Sequence, residues 1–397
     1  MLNYYRFKNF QSFTGWTEVD LTLKPQAPHR GWERLSLDGE RRVSTAMAVF
    51  GANGSGKTAL LKPIAFLHWF VSESFATPPG ANIPIPERLL DPDSATELEA
   101  EFEDSDGVTW KYELKATQQR VLQESLYRKQ TKFVYVFKRV WDAQAEKYSV
   151  AQQGFGFAAS EAKKVRPNAS LIATAAQYGV EIALKLSTLS MHYNVNIQGR
   201  THFSEDNLAW AAEVFKEHAE LKLVATTLLA KWDLGISDIA LRVIETVDPK
   251  SQEKDSAIAA DVLHTRSNGE TFSLPLRLES SGTQSSFLLL ALILPALEHG
   301  GLAVIDEMES DLHPDLIEPL MALFDSELTN PKRAQLIFTS HTTKVLEFLS
   351  KSQVIFVEKR DCVSTAFRGD EVRGLRVDDN LRAKYESGAL GAIPEVL

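Results

Sequence analysis

Two groups of residues in this 397-residue chain have the types and spacing needed for phosphate chemistry. The first is Gly51-Ala52-Asn53-Gly54-Ser55-Gly56-Lys57-Thr58, a complete match to the pattern G-x-x-x-x-G-K-S/T. Glycines at these positions let the backbone turn so that successive N–H groups converge on phosphate oxygens, and the following helix adds the positive end of its dipole. Lys57 would reach the β- and γ-phosphates of a nucleoside triphosphate, and the Thr58 hydroxyl would ligate Mg²⁺. A glycine turn that merely caps a helix is the plainer alternative, but average composition yields the full pattern by chance in on the order of one chain in a hundred.

The second group is acidic. Asp306 closes the apolar run LAVI, where a carboxylate can hold Mg²⁺ through water, and Glu307 beside it is placed to polarise an attacking water. Helix capping would account for some of the four acids between Asp306 and Asp311, though not for their pairing with a complete phosphate loop. His341 follows a third apolar run, QLIFTS, and a histidine at a strand end can hydrogen-bond a γ-phosphate and sense its loss. The combination predicts binding and hydrolysis of ATP with Mg²⁺.

These side chains need elements to position them. Thr45 to Phe50 is a short apolar strand running into Gly51, and Leu60, Ile64, Leu67 and Val71 recur at helical spacing after Lys57. The runs LAVI (302–305), QLIF (335–338) and VIFV (354–357) are separated by helical stretches, the pattern of a parallel sheet covered on both faces in an α/β fold. Leu2 to Asn9 and Trp16 to Leu23 are predicted strands. A proline-dense connection (78–92) precedes alternating apolar residues from Thr96 to about Val150, which predict an antiparallel β meander. Residues 158–232 favour helices. The expected division is a nucleotide-binding core from 1–75 and 236–397, a β-rich segment at 76–157 and a helical insert at 158–235.

Composition narrows the classes. With 44% hydrophobic and 24% charged residues the chain is ordinary globular protein, and its net charge of −10 argues against a surface that coats nucleic acid throughout, while leaving room for a local basic groove. A single cysteine, Cys362, permits no intramolecular disulfide and is expected to be a small buried or half-buried side chain. The opening MLNYYRFKNF lacks the apolar core of a signal peptide, and the run Phe287 to Leu297 is short and interrupted by Pro295. A cytoplasmic protein with no membrane partner is the expectation.

A further segment, LESSGTQSSFLLLALIL, places a Ser-Gly-Thr-Gln turn before an apolar helix, with Ser281 about 25 residues ahead of Asp306. Together with the phosphate loop, the acidic strand, the SDLHP that follows and the TSH histidine, the order resembles the ATP-binding-cassette (ABC) ATPases, and most of all their SMC-like branch. The resemblance implies a P-loop NTPase fold of the ABC-type head, here with an inserted antiparallel β meander and a helical subdomain. It implies a homodimer or higher homo-oligomer through ATP-bound heads, in which Ser281, Gly282 and Gln284 of one head contact the γ-phosphate held by the other. Asp311, in the segment that matches the family's D-loop, would lie at the same interface.

The opening LNYYRFKNFQSFTG, the segment SQVIFVEKRD and the ending KYESGALGAIPEV narrow the resemblance to AAA-type ATPases of bacterial abortive-infection and restriction-linked systems, the RloA or AbiLii kind. It covers both ends and the nucleotide motifs, roughly half the chain. Such proteins are commonly encoded beside an effector, an RloB-like protein or a nuclease, and are linked to defence against phage. The chain departs from the wider family in three ways. Gln11 stands where many SMC-like heads carry an arginine, the glutamine that completes Mg²⁺ coordination has no clear match, and there is no long heptad arm. It also has no C-terminal acidic cluster of the metal-nuclease type, which implies that nuclease activity belongs to a partner.

A RecF-like DNA-repair ATPase binding DNA across its dimer is the competing expectation. Lys132, Phe133, Tyr135, Phe137, Lys138, Arg139 and Trp141 are basic and aromatic residues that can line a nucleic-acid surface, although an ordinary solvated strand explains them as well. A transporter motor is disfavoured by the large insert and by the lack of a basic pair after the signature turn.

Overall fold

The computed structural model describes residues 1–86, 94–201, 204–232, 235–247, 254–310, 312–376 and 379–391. The chain opens with β1 (Leu2–Lys8) and β2 (Thr17–Asp20), then the short strands β3 (Thr22–Leu23), β4 (Glu33–Leu35) and β5 (Arg42–Ser44), which pair with one another. Strand β6 (Ala46–Gly51) leads into helix α1 (Lys57–Glu73). Five antiparallel strands follow: β7 (Thr96–Glu103), β8 (Thr109–Ala116), β9 (Val121–Lys129), β10 (Phe133–Asp142) and β11 (Lys147–Gln152). Helices α2 (Ala159–Ala162), α3 (Leu171–Gln177) and α4 (Glu181–Ser187) precede strand β12 (Met191–Tyr193), then α5 (Glu205–Glu217) and α6 (Ala219–Lys231). The antiparallel strands β13 (Ile236–Val247), β14 (Lys254–Thr265) and β15 (Thr271–Pro275) lead to helix α7 (Ser281–His299) and β16 (Leu302–Ile305). Helix α8 (Ile317–Asp325), strands β17 (Gln335–Thr339), β18 (Val354–Arg360) and β19 (Val363–Arg368), and helix α9 (Leu381–Glu386) complete the described chain.

The central sheet has the order β12-β16-β17-β6-β18-β19, parallel except for β19 at its edge. All six residues of β6 are buried because the strand lies in the middle of this sheet with both faces covered. Alternate side chains enter opposite cores. Met47 and Val49 join the core shared with α1 and the antiparallel sheet, whereas Ala46, Ala48 and Phe50 join the one built on α7 and α8. Because β6, β16, β17 and β12 run the same way, their carboxyl ends meet at one edge, where ligands of open α/β sheets bind.

The second large sheet is wholly antiparallel, in the order β11-β10-β9-β8-β7-β1-β2. The expected meander therefore does not stand apart from the opening strands, since β1 pairs directly with β7, Phe7 opposite Leu98. The stretch 158–235 feeds both cores. α3 and α4 pack on α1, while α5 and α6 pack on α7 and the β13–β14 hairpin. α7 is long and apolar enough to span a membrane by length and composition, but 67% of its apolar window is buried within the fold, as suits a core helix. Cys362 departs from expectation: it is exposed, at a φ of +65° in the tight turn between β18 and β19.

Candidate functional site

The phosphate loop joins β6 to α1, and its glycines are required by geometry. Gly54 and Gly56 have φ of +74° and +116°, which side chains rarely adopt, and a Cβ on Gly56 would lie 2.7 Å from Ser364 Oγ. A Cβ on Gly51 would meet the Val357 carbonyl oxygen of the neighbouring strand at 2.4 Å. Lys57, buried at the start of α1, donates from Nζ to Gly51 O at 2.9 Å and Ala52 O at 3.1 Å. Burial lowers its pKa, against the opposing pull of Asp306, Glu307 and Glu309. The Ser55 hydroxyl is buried within the loop without a hydrogen-bond partner.

The acidic strand end meets this loop. Thr58 Oγ1 donates to Asp306 Oδ2 at 2.8 Å, and Thr339 Oγ1, from the end of β17, donates to Asp306 Oδ1 at 2.7 Å. The Glu307 N–H donates to Thr339 Oγ1 at 2.6 Å, so one hydroxyl ties the two acids to the next strand. Glu307 has a φ of +50°, an unusual conformation for a glutamate, which turns the chain sharply at the strand end. Its carboxylate Oε2 accepts from Arg200 Nη1 at 2.5 Å and from Ser310 Oγ at 3.2 Å. His341 is exposed just beyond β17, and its backbone N–H donates to Glu309 Oε1 at 2.5 Å.

Three groups that sequence reasoning missed surround these residues. Asn194, at the carboxyl end of β12, donates from Nδ2 to Asp306 O at 3.0 Å and accepts from Asp306 N at 2.7 Å. Arg200, six residues on, holds Glu307. Ser364 Oγ donates to Ser55 O at 2.6 Å and lies 2.7 Å from Ser12 Oγ, which sets the opening segment, with Gln11 at a φ of +50°, against the back of the loop. A three-residue strand gives no periodicity to find Asn194 or Arg200 by, and Ser364 is one hydroxyl in an ordinary strand.

The predicted signature residues start α7. Ser280 caps the helix by accepting from Thr283 N at 3.1 Å, leaving Ser281 exposed and Gly282 half-buried in the first turn. Gln284 is buried and donates to Glu279 O at 2.6 Å and Arg277 O at 3.3 Å, so its amide secures the preceding loop. Among the described residues, none of the three hydrogen-bonds residues 51–58 of the same chain. Asp311 lies outside the described residues. Of the residues predicted for a nucleic-acid surface, Phe137 and Arg139 are fully buried, and Arg139 pairs with buried Glu124 while donating to the carbonyls of Val165, Arg166 and Ala169.

A phosphate loop between a parallel strand and its helix, facing a strand that ends in two acids, defines a P-loop nucleotide-binding fold. The chain matches, over residues 46–347, the AAA-domain family described as a putative AbiEii toxin of a Type IV TA system, and it belongs to that family. Among solved structures it is similar to an SMC head bound to the C-terminal winged-helix domain of ScpA, with 13% identity, a TM-score of 0.47, and coverage of 92% of this chain and 96% of that one. No curated protein matches it significantly. A hydroxyl and a carboxylate as neighbouring hard oxygens, beside a loop whose buried Ser55 hydroxyl lacks a partner, suit Mg²⁺ held jointly with phosphate oxygens.

Proposed function

We propose that this protein binds ATP with Mg²⁺ in the loop from Asn53 to Thr58, and hydrolyses it. The observation that carries the reading is the contact between Thr58 and Asp306, which sets the two halves of a nucleotide site side by side. Backbone N–H groups of Gly54, Ser55 and Gly56 would cradle the phosphates, and Lys57 would turn from its loop carbonyls to the β- and γ-phosphates. Mg²⁺, held by Thr58 and Asp306, would neutralise charge developing on the phosphoryl group. Glu307 would take the proton of the attacking water, with His341 near the γ-phosphate.

Two heads would close around ATP, with Ser281 and Gly282 acting on the partner's γ-phosphate and Asp311 at the interface. Exposure of Ser281 at the head of an N-terminal helix turn supports that part, whereas the burial of Gln284 argues for a supporting role. In this reading the protein is a cytoplasmic sensor or regulatory subunit of an anti-phage defence system, and ATP turnover switches its hold on an effector encoded nearby. The family description, a putative AbiEii toxin, supports a place in such systems. DNA bound across the dimer is the competing reading. Its support is the stacking of Lys111 and Lys138 on Tyr127, with Phe133 and Tyr135 alongside, on the antiparallel sheet.

The test is steady-state phosphate release by the full chain and by Glu307→Gln. Turnover that falls in the variant supports the assignment. Turnover equal to that of the parent would require another base. Strong, salt-dependent binding of DNA would favour the competing reading.

A further inference from the structure

The loop between β12 and α5 reaches the acidic strand end at two places. Asn194 pairs its side-chain amide with both backbone groups of Asp306, at 2.7 and 3.0 Å, which fixes the backbone that carries the two acids. Arg200 sits across a tight return of the same loop, bridged to Val195, where the Thr201 N–H donates to Asn194 O at 2.7 Å. From there its Nη1 donates both to Glu307 Oε2 at 2.5 Å and to Ser310 Oγ at 2.9 Å. The loop is also tied to the nucleotide helix, because Lys62 of α1 donates from Nζ to Ile197 O at 3.0 Å. It therefore touches both halves of the proposed site.

Both donors to Glu307, Arg200 and Ser310, bind the same oxygen, Oε2. A carboxylate held through one oxygen by a guanidinium has few rotamers left to explore, and its other oxygen keeps its lone pairs for a water. Fixing a reacting group in this way matters because a misplacement of about 1 Å can cost on the order of 10²-fold in rate. Glu307 needs such a hold. Its side chain is 43% exposed and its backbone turns through a strained conformation, so little packing restrains it.

We propose that Arg200 is a positioning residue that orients Glu307 for water activation, acting through Oε2 and leaving Oε1 as the basic oxygen. The inference rests on Glu307 being the general base, and it adds a residue with no counterpart among the motifs of the sequence. Arginine suits the position because its planar fork lets a single nitrogen bridge the carboxylate and the Ser310 hydroxyl while its charge stays fixed.

The experiment compares Mg-ATP affinity and steady-state kinetics of the full chain with those of Arg200→Ala, Arg200→Lys, Glu307→Gln and the Arg200→Ala/Glu307→Gln double variant. Arg200→Ala is expected to lower kcat roughly 10- to 100-fold with KM and ATP affinity unchanged. Arg200→Lys should recover part of that loss, and the double variant should be no slower than Glu307→Gln alone. An Arg200→Ala enzyme as fast as the parent or faster, or losses that multiply in the double variant, would overturn the proposal. Should Glu307→Gln itself turn over normally, the base assignment fails instead, which separates the two claims.

Discussion

Thr58 Oγ1 and Asp306 Oδ2 stand 2.8 Å apart although 248 positions separate them in the chain. Strands β7 to β11 and helices α2 to α7 lie between them in sequence, yet β6, which leads to Thr58, and β16, which leads to Asp306, both pair with β17 in one parallel sheet, so their carboxyl ends are neighbours. Replacing Thr58 by Ala should remove one of the two side-chain oxygens proposed to hold Mg²⁺. ATP affinity measured by calorimetry should then no longer rise when Mg²⁺ is added, while binding without the ion is unaltered. An undiminished Mg²⁺ effect would remove Thr58 from the metal site.

Glu307→Gln should bind ATP as the parent does and hydrolyse it about 10²- to 10⁴-fold more slowly, the range ascribed to general-base catalysis. Because hydrolysis is what would release two closed heads, light scattering should find dimers accumulating with ATP in this variant. A monomer at every nucleotide concentration would contradict head-to-head closure.

Ser281→Arg places bulk and charge on an exposed helix start, where the fold should tolerate it. Turnover should stop while each chain still binds ATP. Mixing this variant with Lys57→Ala should restore part of the activity, since one composite site in the mixed dimer keeps an intact phosphate loop and an intact signature turn. Full activity of Ser281→Arg alone would mean that the site is self-contained.

Arg139→Ala should be a stability variant. It takes the counter-ion from buried Glu124, whose carboxylate keeps the donors Tyr112, Ser170 and the Leu171 N–H, and it leaves three backbone carbonyls without their guanidinium donor; breaking a buried pair costs about 3–5 kcal/mol. The denaturant midpoint should fall with little change in ATP affinity of the folded protein. A loss below about 1 kcal/mol would show that water or rearrangement satisfies those groups.

Stability should also depend on acid. Burial, aided by the neighbouring His299 and His68, lowers the pKa of His192 from 6.5 to about 4. Between those values the unfolded chain binds the proton and the folded one does not, so this contribution is complete above about pH 6.5 and is lost as pH falls toward 4. The unfolding free energy of His192→Gln should be flatter over that window. An identical slope would place the sensitivity elsewhere.

The parts of the site legible in the sequence are those built from local patterns. The phosphate loop, the acidic pair and His341 each follow an apolar run, and these runs became β6, β16 and β17 because a central parallel strand must be apolar on both faces. What stayed hidden depends on distant partners. Asn194 and Arg200 flank a strand of only three residues, too short for any period to register. Arg139 and Phe137 resembled surface residues because alternation along β10 slips at an irregularity between Tyr135 and Phe137, after which the odd positions turn inward. Gln284 has the type of a phosphate contact, and only the carbonyls of Arg277 and Glu279 show that its amide is engaged at home. The joining of β1 to β7 carries no local signal at all.

The central claim is that the loop around Lys57 holds ATP, and calorimetric titration of the full chain and of Lys57→Ala with Mg-ATP tests it most directly. Saturable binding of about one nucleotide per chain is expected for the parent and no measurable binding for the variant, with a cooperative melting transition showing that the variant is folded. Equal affinity in the two proteins would contradict it.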